Sequence, residues 1–265
     1  MHNFNYHLAA DVQDAVAKLS KSEDGKIISG GMTLLPTLKN RLSAPSDLID
    51  LGNIDALRGV VVSKTEVTIK GMTCHADVAA NADLQRVLPA LANLAGIIGD
   101  PAVRHRGTIG GSVANADPAA DYPAAVVGLD GVVETNQRRI NGDDFFISLF
   151  ETALEPNEVI TAVHFKVPDA AHYMKFRHPA SGYAVVGVMV ARYGKKVRVA
   201  VTGAGPNVFR VPAMEAALEQ NFAPEAIANV AVDADDLLGD MHCSAEYRAH
   251  MVGVYARRAV AAIVG

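Results

Sequence analysis

Apolar positions change period several times along the chain. In DVQDAVAKLS, Val12, Ala15, Val16 and Leu19 recur at helical spacing and predict an amphipathic helix. GKIISG is a short apolar run and predicts a buried strand. MTLLPTLKNRL predicts a second helix, with Pro36 near its first turn, where a missing N–H is tolerated. DLIDLGNI is apolar but short and predicts extended chain. RGVVVSKTEVTIKGMT alternates in its second half, with Val67 and Ile69 on one side, and predicts a hairpin. LQRVLPALANLAG sets Leu84, Val87, Leu88 and Leu91 in a stripe and predicts a helix. The next segment, PAVRHRGTIGGSVANADPAAD, reads as a loop rich in glycine, followed by a short apolar helix and a strand over 131–135. DDFFISLFETALEPNEVITAVHFKVP predicts a loop or helical turn and then a strand over 159–167.

After Pro168 the texture changes. AVVGVMVARYGKKVRVAVTGAGP holds two alternating runs joined at Tyr-Gly-Lys-Lys, with Val197, Val199 and Val201 sharing one face, and predicts a hairpin. Helices are expected over 212–220 and 224–231. The last one, SAEYRAHMVGVYARRAVAAIV, repeats Met251, Val254, Tyr255, Ala259, Ala262 and Ile263 at helical spacing. A domain boundary is expected near 168–173. The order of elements is that of an α+β protein, without the regular alternation of a doubly wound sheet.

Composition narrows the class. The 265 residues are 50% hydrophobic and 20% charged, enough apolar surface for a substantial core. A formal charge of −5 gives no reason to expect nucleic acid or an anionic membrane as partner. No signal peptide and no bilayer-length apolar run is visible. Cys74 and Cys243, the two cysteines, cannot form a disulfide framework and are too few for a thiolate-ligated iron–sulfur cluster. They read as buried small residues of a cytoplasmic protein. The nine histidines form no ligand-spaced set, so no metal is expected in this chain, and no GxSxG elbow is present. His105, between two arginines, and the Arg257–Arg258 pair read as solvated.

Two glycine stretches remain as candidate chemistry. SGGMTLLP follows a strand and precedes a helix, where free N–H groups and the helix dipole favour an anion, and Thr33 adds a hydroxyl. It is neither a Walker A loop nor GxGxxG, and judged alone it reads as a tight turn. RGTIGGSVANADPAAD alternates Gly107, Gly110 and Gly111 with Thr108 and Ser112, then supplies Asn115, Asp117 and Asp121. Such donors suit a diphosphate, and a carboxylate suits sugar hydroxyls, although a turn with incidental polar residues gives the same pattern. Two such stretches in one domain favour a shared dinucleotide cradle.

Read together, SGGMTLLP and TIGGSVANADPAAD resemble the two FAD-binding signatures of the flavin-binding medium subunits of molybdenum hydroxylases, the relatives of carbon monoxide and xanthine dehydrogenases. SGYAVVGVMVARYGKKVRVAVTGAGP and EYRAHMVGVYARRAV resemble the smaller carboxy-terminal domain of that family. The resemblance implies an FAD-binding domain over 1–170, made of two α/β subdomains, about 1–56 and 57–170, with FAD between them. A domain over 171–265 with a three-stranded antiparallel sheet and helices would follow. Carried over residue by residue, Lys26, Ile28, Ser29, Gly30, Gly31, Met32, Thr33, Leu34 and Leu35 would wrap the diphosphate and adjoining parts of FAD. Thr108, Gly110, Gly111, Ser112 and Asn115 would complete the cradle. Asp121 would be an acidic FAD contact, Ile160 an aliphatic neighbour of the cofactor, and Lys175 a lysine near the flavin.

The function implied is that of a flavoprotein oxidoreductase subunit without catalytic residues of its own. It would take electrons from the [2Fe–2S] clusters of a small subunit, which drains a molybdenum cofactor in a large subunit, and pass them through FAD to an external acceptor. The complex would be a dimer of heterotrimers, cytoplasmic, and able to sit at the inner face of the membrane. Two distant cysteines argue against the hydroxybenzoyl-CoA reductase-like branch, which carries a [4Fe–4S] cluster in this subunit. A free-standing flavin oxidoreductase of the same fold and a cofactor-free assembly module are the alternatives. A nicotinamide-dependent dehydrogenase is disfavoured by the absence of GxGxxG.

Overall fold

The computed structural model describes residues 1–265. The chain opens as β1 (Asn5–Leu8), α1 (Val12–Lys21), β2 (Gly25–Ile28), α2 (Leu34–Lys39) and β3 (Asp47–Asp50). The three strands form a parallel sheet in the order β1-β3-β2, with the two helices as crossovers. Asp11 starts α1 by accepting the Asp14 N–H at 2.7 Å, and Ala15 joins a small core with Ile49, Leu51, Ile54 and Met72. Strand β1 has no counterpart in the sequence-based expectations because Tyr6 and Leu8 point to solvent and leave no apolar pattern. Strand β2 corrects the expected buried strand: it is an edge, and only its last residue, Ile28, is buried.

The second unit is an antiparallel sheet ordered β4-β5-β10-β6-β7. Its strands are β4 (Val60–Val62), β5 (Glu66–Lys70), β6 (Val132–Thr135), β7 (Arg139–Asn141) and β10 (Ile160–Lys166). Between β5 and β6 run α3 (His75–Ala80), α4 (Ala82–Val87), α5 (Pro89–Gly96), α6 (Pro101–Arg104), α7 (Ile109–Asn115) and α8 (Tyr122–Gly128). After β7 come α9 (Gly142–Phe145) and a two-stranded hairpin, β8 (Phe146–Ser148) with β9 (Glu151–Thr152). The single helix expected over LQRVLPALANLAG is two helices. Leu88 sits at φ −141° and ψ 66°, outside helical backbone, because Pro89 disfavours the helical conformation in the residue before it. The glycine-rich stretch expected as a loop is the helix α7. Thr108 caps it by accepting the Gly111 N–H at 3.1 Å, and burial of Ile109, Gly110 and Val113 outweighs poor glycine propensity.

The third unit holds β11 (Ala170–Arg177), β12 (Ala184–Tyr193), β13 (Lys196–Thr202), β14 (Phe209–Arg210), α10 (Pro212–Gln220) and α11 (Ala245–Val264). Its antiparallel sheet has four strands, not the expected three. The fourth is two residues long, too short to show alternation. The β12–β13 hairpin and the last helix lie where the pattern put them, whereas 224–231 gives only a 3₁₀ turn at Pro224–Ile227. One face of this sheet, with Val186, Val188, Val199 and Val201, packs on Val252, Ala256 and Val260 of α11. The other face, with Tyr173, Met189 and Ala200, belongs to the same core as Ala124, Ala125 and Val163 of the second unit. Polar contacts cross the same junction. The Thr202 hydroxyl lies 2.8 and 2.7 Å from the Pro118 and Ala120 carbonyls, and Gly203 N–H donates to Pro118 at 2.7 Å.

Candidate functional site

A cleft of about 450 Å³ opens where the three units meet. One wall is the turn from β2 into α2, Lys26 through Leu34; the opposite wall is Gly107, Thr108 and the exposed side of α7. Leu154, Glu158, Val159 and Ile160 close the inner end, and Ser181, Gly182 and Tyr183 reach in from the β11–β12 connection. The two walls touch directly: Ser29 Oγ and Thr108 Oγ1 are 3.0 Å apart.

The glycines explain how close that approach is. A Cβ on Gly30 would overlap the Arg106 carbonyl, one on Gly111 would sit 2.6 Å from Ser29 Oγ, and one on Gly110 would sit 2.6 Å from the Gly71 carbonyl. Gly30 and Gly111 make room for the other wall, and Gly110 for Gly71 beneath its own, rather than for a ligand. Gly31 differs: its φ of +71° is left-handed backbone that a side chain would strain.

Hydrogen bonding separates the walls further. The N–H groups of Ser29, Gly30, Gly31, Met32, Thr33 and Leu34 donate to nothing within the chain; the first bonded donor is Leu35, to the Gly31 carbonyl at 3.0 Å. Thr33 also makes no side-chain cap. On the other wall only Thr108 N–H lacks an acceptor, and the donors that open α7 are engaged. Ile109 N–H bonds Thr73 O at 3.1 Å, Gly110 bonds Gly71 O at 2.9 Å, and Ser112 bonds Thr108 O at 3.0 Å. Gly111 is taken by its cap. The second stretch therefore offers side chains, Ser112 and Asn115, where backbone donors were expected. Unbonded amides are a costly feature unless water or a ligand completes them. A consecutive run of them, beside apolar Ile28, Val159 and Ile160, fits a dinucleotide with its diphosphate on the first wall.

Asp121 reaches the cleft from the N-terminus of α8. Its carboxylate accepts from Tyr173 Oη at 2.6 Å and Lys175 Nζ at 2.8 Å, and both side chains of the ion pair are buried. Burial pushes the Asp121 carboxyl up, while Lys175, Tyr173 and Arg177 pull it down. Lys175 is thus engaged by Asp121 and does not line the cleft, and Leu35 also lies outside the wall. The remaining expected residues, from Lys26 to Leu34, Thr108 to Asn115, Asp121 and Ile160, do line it. Gly71, Met72, His75, Glu158 and Tyr183 lie on the wall without having been expected. None carries a spacing signal; their strands and loops bring them there. Glu158 is fully used, by Arg138 Nε at 2.9 Å, Thr135 Oγ1 at 3.0 Å and Glu155 N–H at 2.7 Å, and Arg138 holds its carboxyl below the usual range. Burial, aided by the charge of Arg104, lowers the His75 pKa to about 4.

Comparison with known proteins identifies the family. Residues 2–168 match the FAD binding domain in molybdopterin dehydrogenase, and residues 171–263 match the CO dehydrogenase flavoprotein C-terminal domain. The chain is 35% identical to the carbon monoxide dehydrogenase medium chain of Hydrogenophaga pseudoflava, covering 97% of this chain and 96% of that one. It is 34% identical to the nicotine 6-hydroxylase medium subunit of Paenarthrobacter nicotinovorans, over 96% of this chain and 95% of the relative. Among solved structures, reconstituted CO dehydrogenase from Oligotropha carboxidovorans superposes with a TM-score of 0.91 at 30% identity, covering 98% of this chain and 96% of that one. With two family models end to end and relatives matched over almost their whole length, the chain belongs to the FAD-binding medium subunits of the molybdenum hydroxylase family and is an oxidoreductase component.

Proposed function

We propose that the chain holds FAD in this cleft and relays electrons through it, from [2Fe–2S] clusters of a small partner subunit to an external acceptor. The clusters would in turn be fed by a molybdenum cofactor in a large subunit. The carrying observation is the run of unbonded amides from Ser29 to Leu34 along a cleft whose glycines close-pack its walls. Bound FAD supplies the redox chemistry; the protein supplies binding, orientation and exclusion of water. The amides of Ser29 to Leu34 hold the diphosphate, each hydrogen bond to an ionised oxygen contributing about 1.5–3 kcal/mol. The Ser29–Thr108 contact latches the walls, and Ser112 and Asn115 add side-chain donors. Asp121, fixed by Tyr173 and Lys175, presents a carboxylate edge to sugar hydroxyls. Ile28, Val159 and Ile160 cover apolar ring surface.

On this reading the chain divides into 1–56, 57–170 and 171–265, FAD lies between the first two, and the complex is a cytoplasmic dimer of heterotrimers. No helix is long and apolar enough to cross a membrane. The test is a visible spectrum and an FAD titration of the purified full chain. A flavin spectrum with one FAD per chain is expected, and co-purification with iron–sulfur and molybdenum subunits extends it to the relay. A colourless chain that cannot be reconstituted with FAD would overturn the proposal.

A further inference from the structure

Beneath the second glycine segment lie two sealed polar atoms that nothing in the chain satisfies, His75 Nδ1 and Tyr122 Oη. Their rings are neighbours, with centroids 5.4 Å apart at 49°. A buried polar atom left without a partner costs about 1–3 kcal/mol, and adjacent pairs of them mark a site completed by something else. The only other such side-chain atom is Arg248 Nε, on a guanidinium already bonded to Val185 O, Gly203 O and Asp240.

His75 starts α3, is 4% exposed, and still contributes to the cleft wall. Its second nitrogen, Nε2, is not among the sealed atoms and has no hydrogen bond within the chain. It packs so closely under Gly107 that a Cβ there would lie 2.6 Å away. The imidazole therefore spans from a closed polar pair on one side to the cofactor cleft on the other. Burial and Arg104 keep the ring neutral, with one donor and one acceptor, and burial keeps Tyr122 a phenol.

We propose that His75 is a direct contact of the bound dinucleotide, its Nε2–H donating to a cofactor oxygen, with its tautomer fixed by a buried water shared between Nδ1 and the Tyr122 hydroxyl. The proton order is consistent throughout: Tyr122 donates to the water, the water donates to Nδ1, and Nε2 keeps the remaining proton for the cleft. A neutral donor suits an oxygen of FAD without adding a charge to the cleft. This inference rests on the reading of the cleft as the FAD site.

The test titrates FAD into the FAD-stripped full chain, following quenching of flavin fluorescence, for the wild type and three variants. Glutamine places its amide where Nε2 stands, whereas asparagine places it where Nδ1 stands. His75→Gln is expected to bind within about threefold of wild type, while His75→Asn weakens FAD by about tenfold, the loss of one hydrogen bond. Tyr122→Phe, which removes only the hydroxyl, weakens FAD by about threefold and keeps the test open if a His75 variant fails to fold. Asparagine binding as tightly as glutamine would overturn the contact, since a purely structural histidine has no reason to favour one amide reach. Wild-type affinity in Tyr122→Phe would overturn the shared water. Failure of the wild-type chain itself to bind FAD removes the cleft assignment and this proposal together, and is distinguished by that control.

Discussion

Gly30 and Gly31 follow an edge strand and leave the next amides, through Leu34, without acceptors; Gly110 and Gly111 lie in the first turn of a helix whose amides bond Gly71, Thr108 and their neighbours. In composition the two segments are near twins. Their environments make them opposites: the first keeps its polar groups open, the second commits them to the fold and turns side chains toward the cleft. The same holds for Asp121, whose carboxylate is tied to Tyr173 and Lys175. A glycine pair in a cofactor cleft is therefore informative only once it is known which atoms the missing Cβ would have met.

The largest expected effect comes from the committed side. Lys175→Met leaves the buried Asp121 carboxylate with Tyr173 alone, and a broken buried pair costs about 3–5 kcal/mol, read by urea unfolding of the FAD-free chain. The double variant with Asp121→Asn should recover much of that loss. If Lys175 served the cofactor alone, its loss would leave unfolding of the FAD-free chain unchanged.

Next comes the histidine under Gly107. His75 titrates near 4 in the fold against an ordinary 6.5, so between those values the unfolded chain binds a proton that the folded chain does not. Stability should then be complete above pH 6.5 and decline toward pH 4, by about 3 kcal/mol in all. Unfolding curves across that window would show the slope, and His75→Phe should flatten it.

The sharpest pair is also the smallest. Gly110→Ala drives a Cβ to 2.6 Å from the backbone of Gly71 and should cost about 1–3 kcal/mol, seen as a lower melting temperature with or without FAD. Gly31→Ala forces a side chain into left-handed backbone for about 1–2 kcal/mol, and reorients the open amides. FAD affinity should fall further for Gly31→Ala than its stability loss explains, and no further for Gly110→Ala. Equal behaviour would erase the contrast between the walls.

What was legible in the sequence follows burial on one face. The β12–β13 hairpin, α1, α10 and α11 show clear periods because each presents one side to a core and the other to water. Strand β1 was silent because it is exposed, and β11 because most of its residues are only half-buried, so neither leaves a clean alternation. Helix α7 looked like a loop, since its two glycines signal turns and only contacts with Gly71 and Ser29 reveal why they are tolerated in a helix. Both glycine segments that line the cleft are readable as motifs in order. Which of the two has free donors is not, because that depends on hydrogen bonds to Gly71 and Thr73, distant in sequence. His75 and Glu158 gave no signal at all: a lone histidine or glutamate becomes a wall residue only through the fold.

The core that runs across residue 170 bears on how the protein comes apart. Texture changes at Pro168, and a linker there would normally mark two independently melting pieces. Yet Tyr173, Met189 and Ala200 complete an interior begun by Ala124, Ala125 and Val163, and Thr202 grips the segment that leads to Asp121. A cut at the junction would strip one face of the β11–β14 sheet bare. The cleft and the carboxy-terminal sheet are thus expected to melt in one transition, and two resolved transitions in calorimetry would show them to be separate.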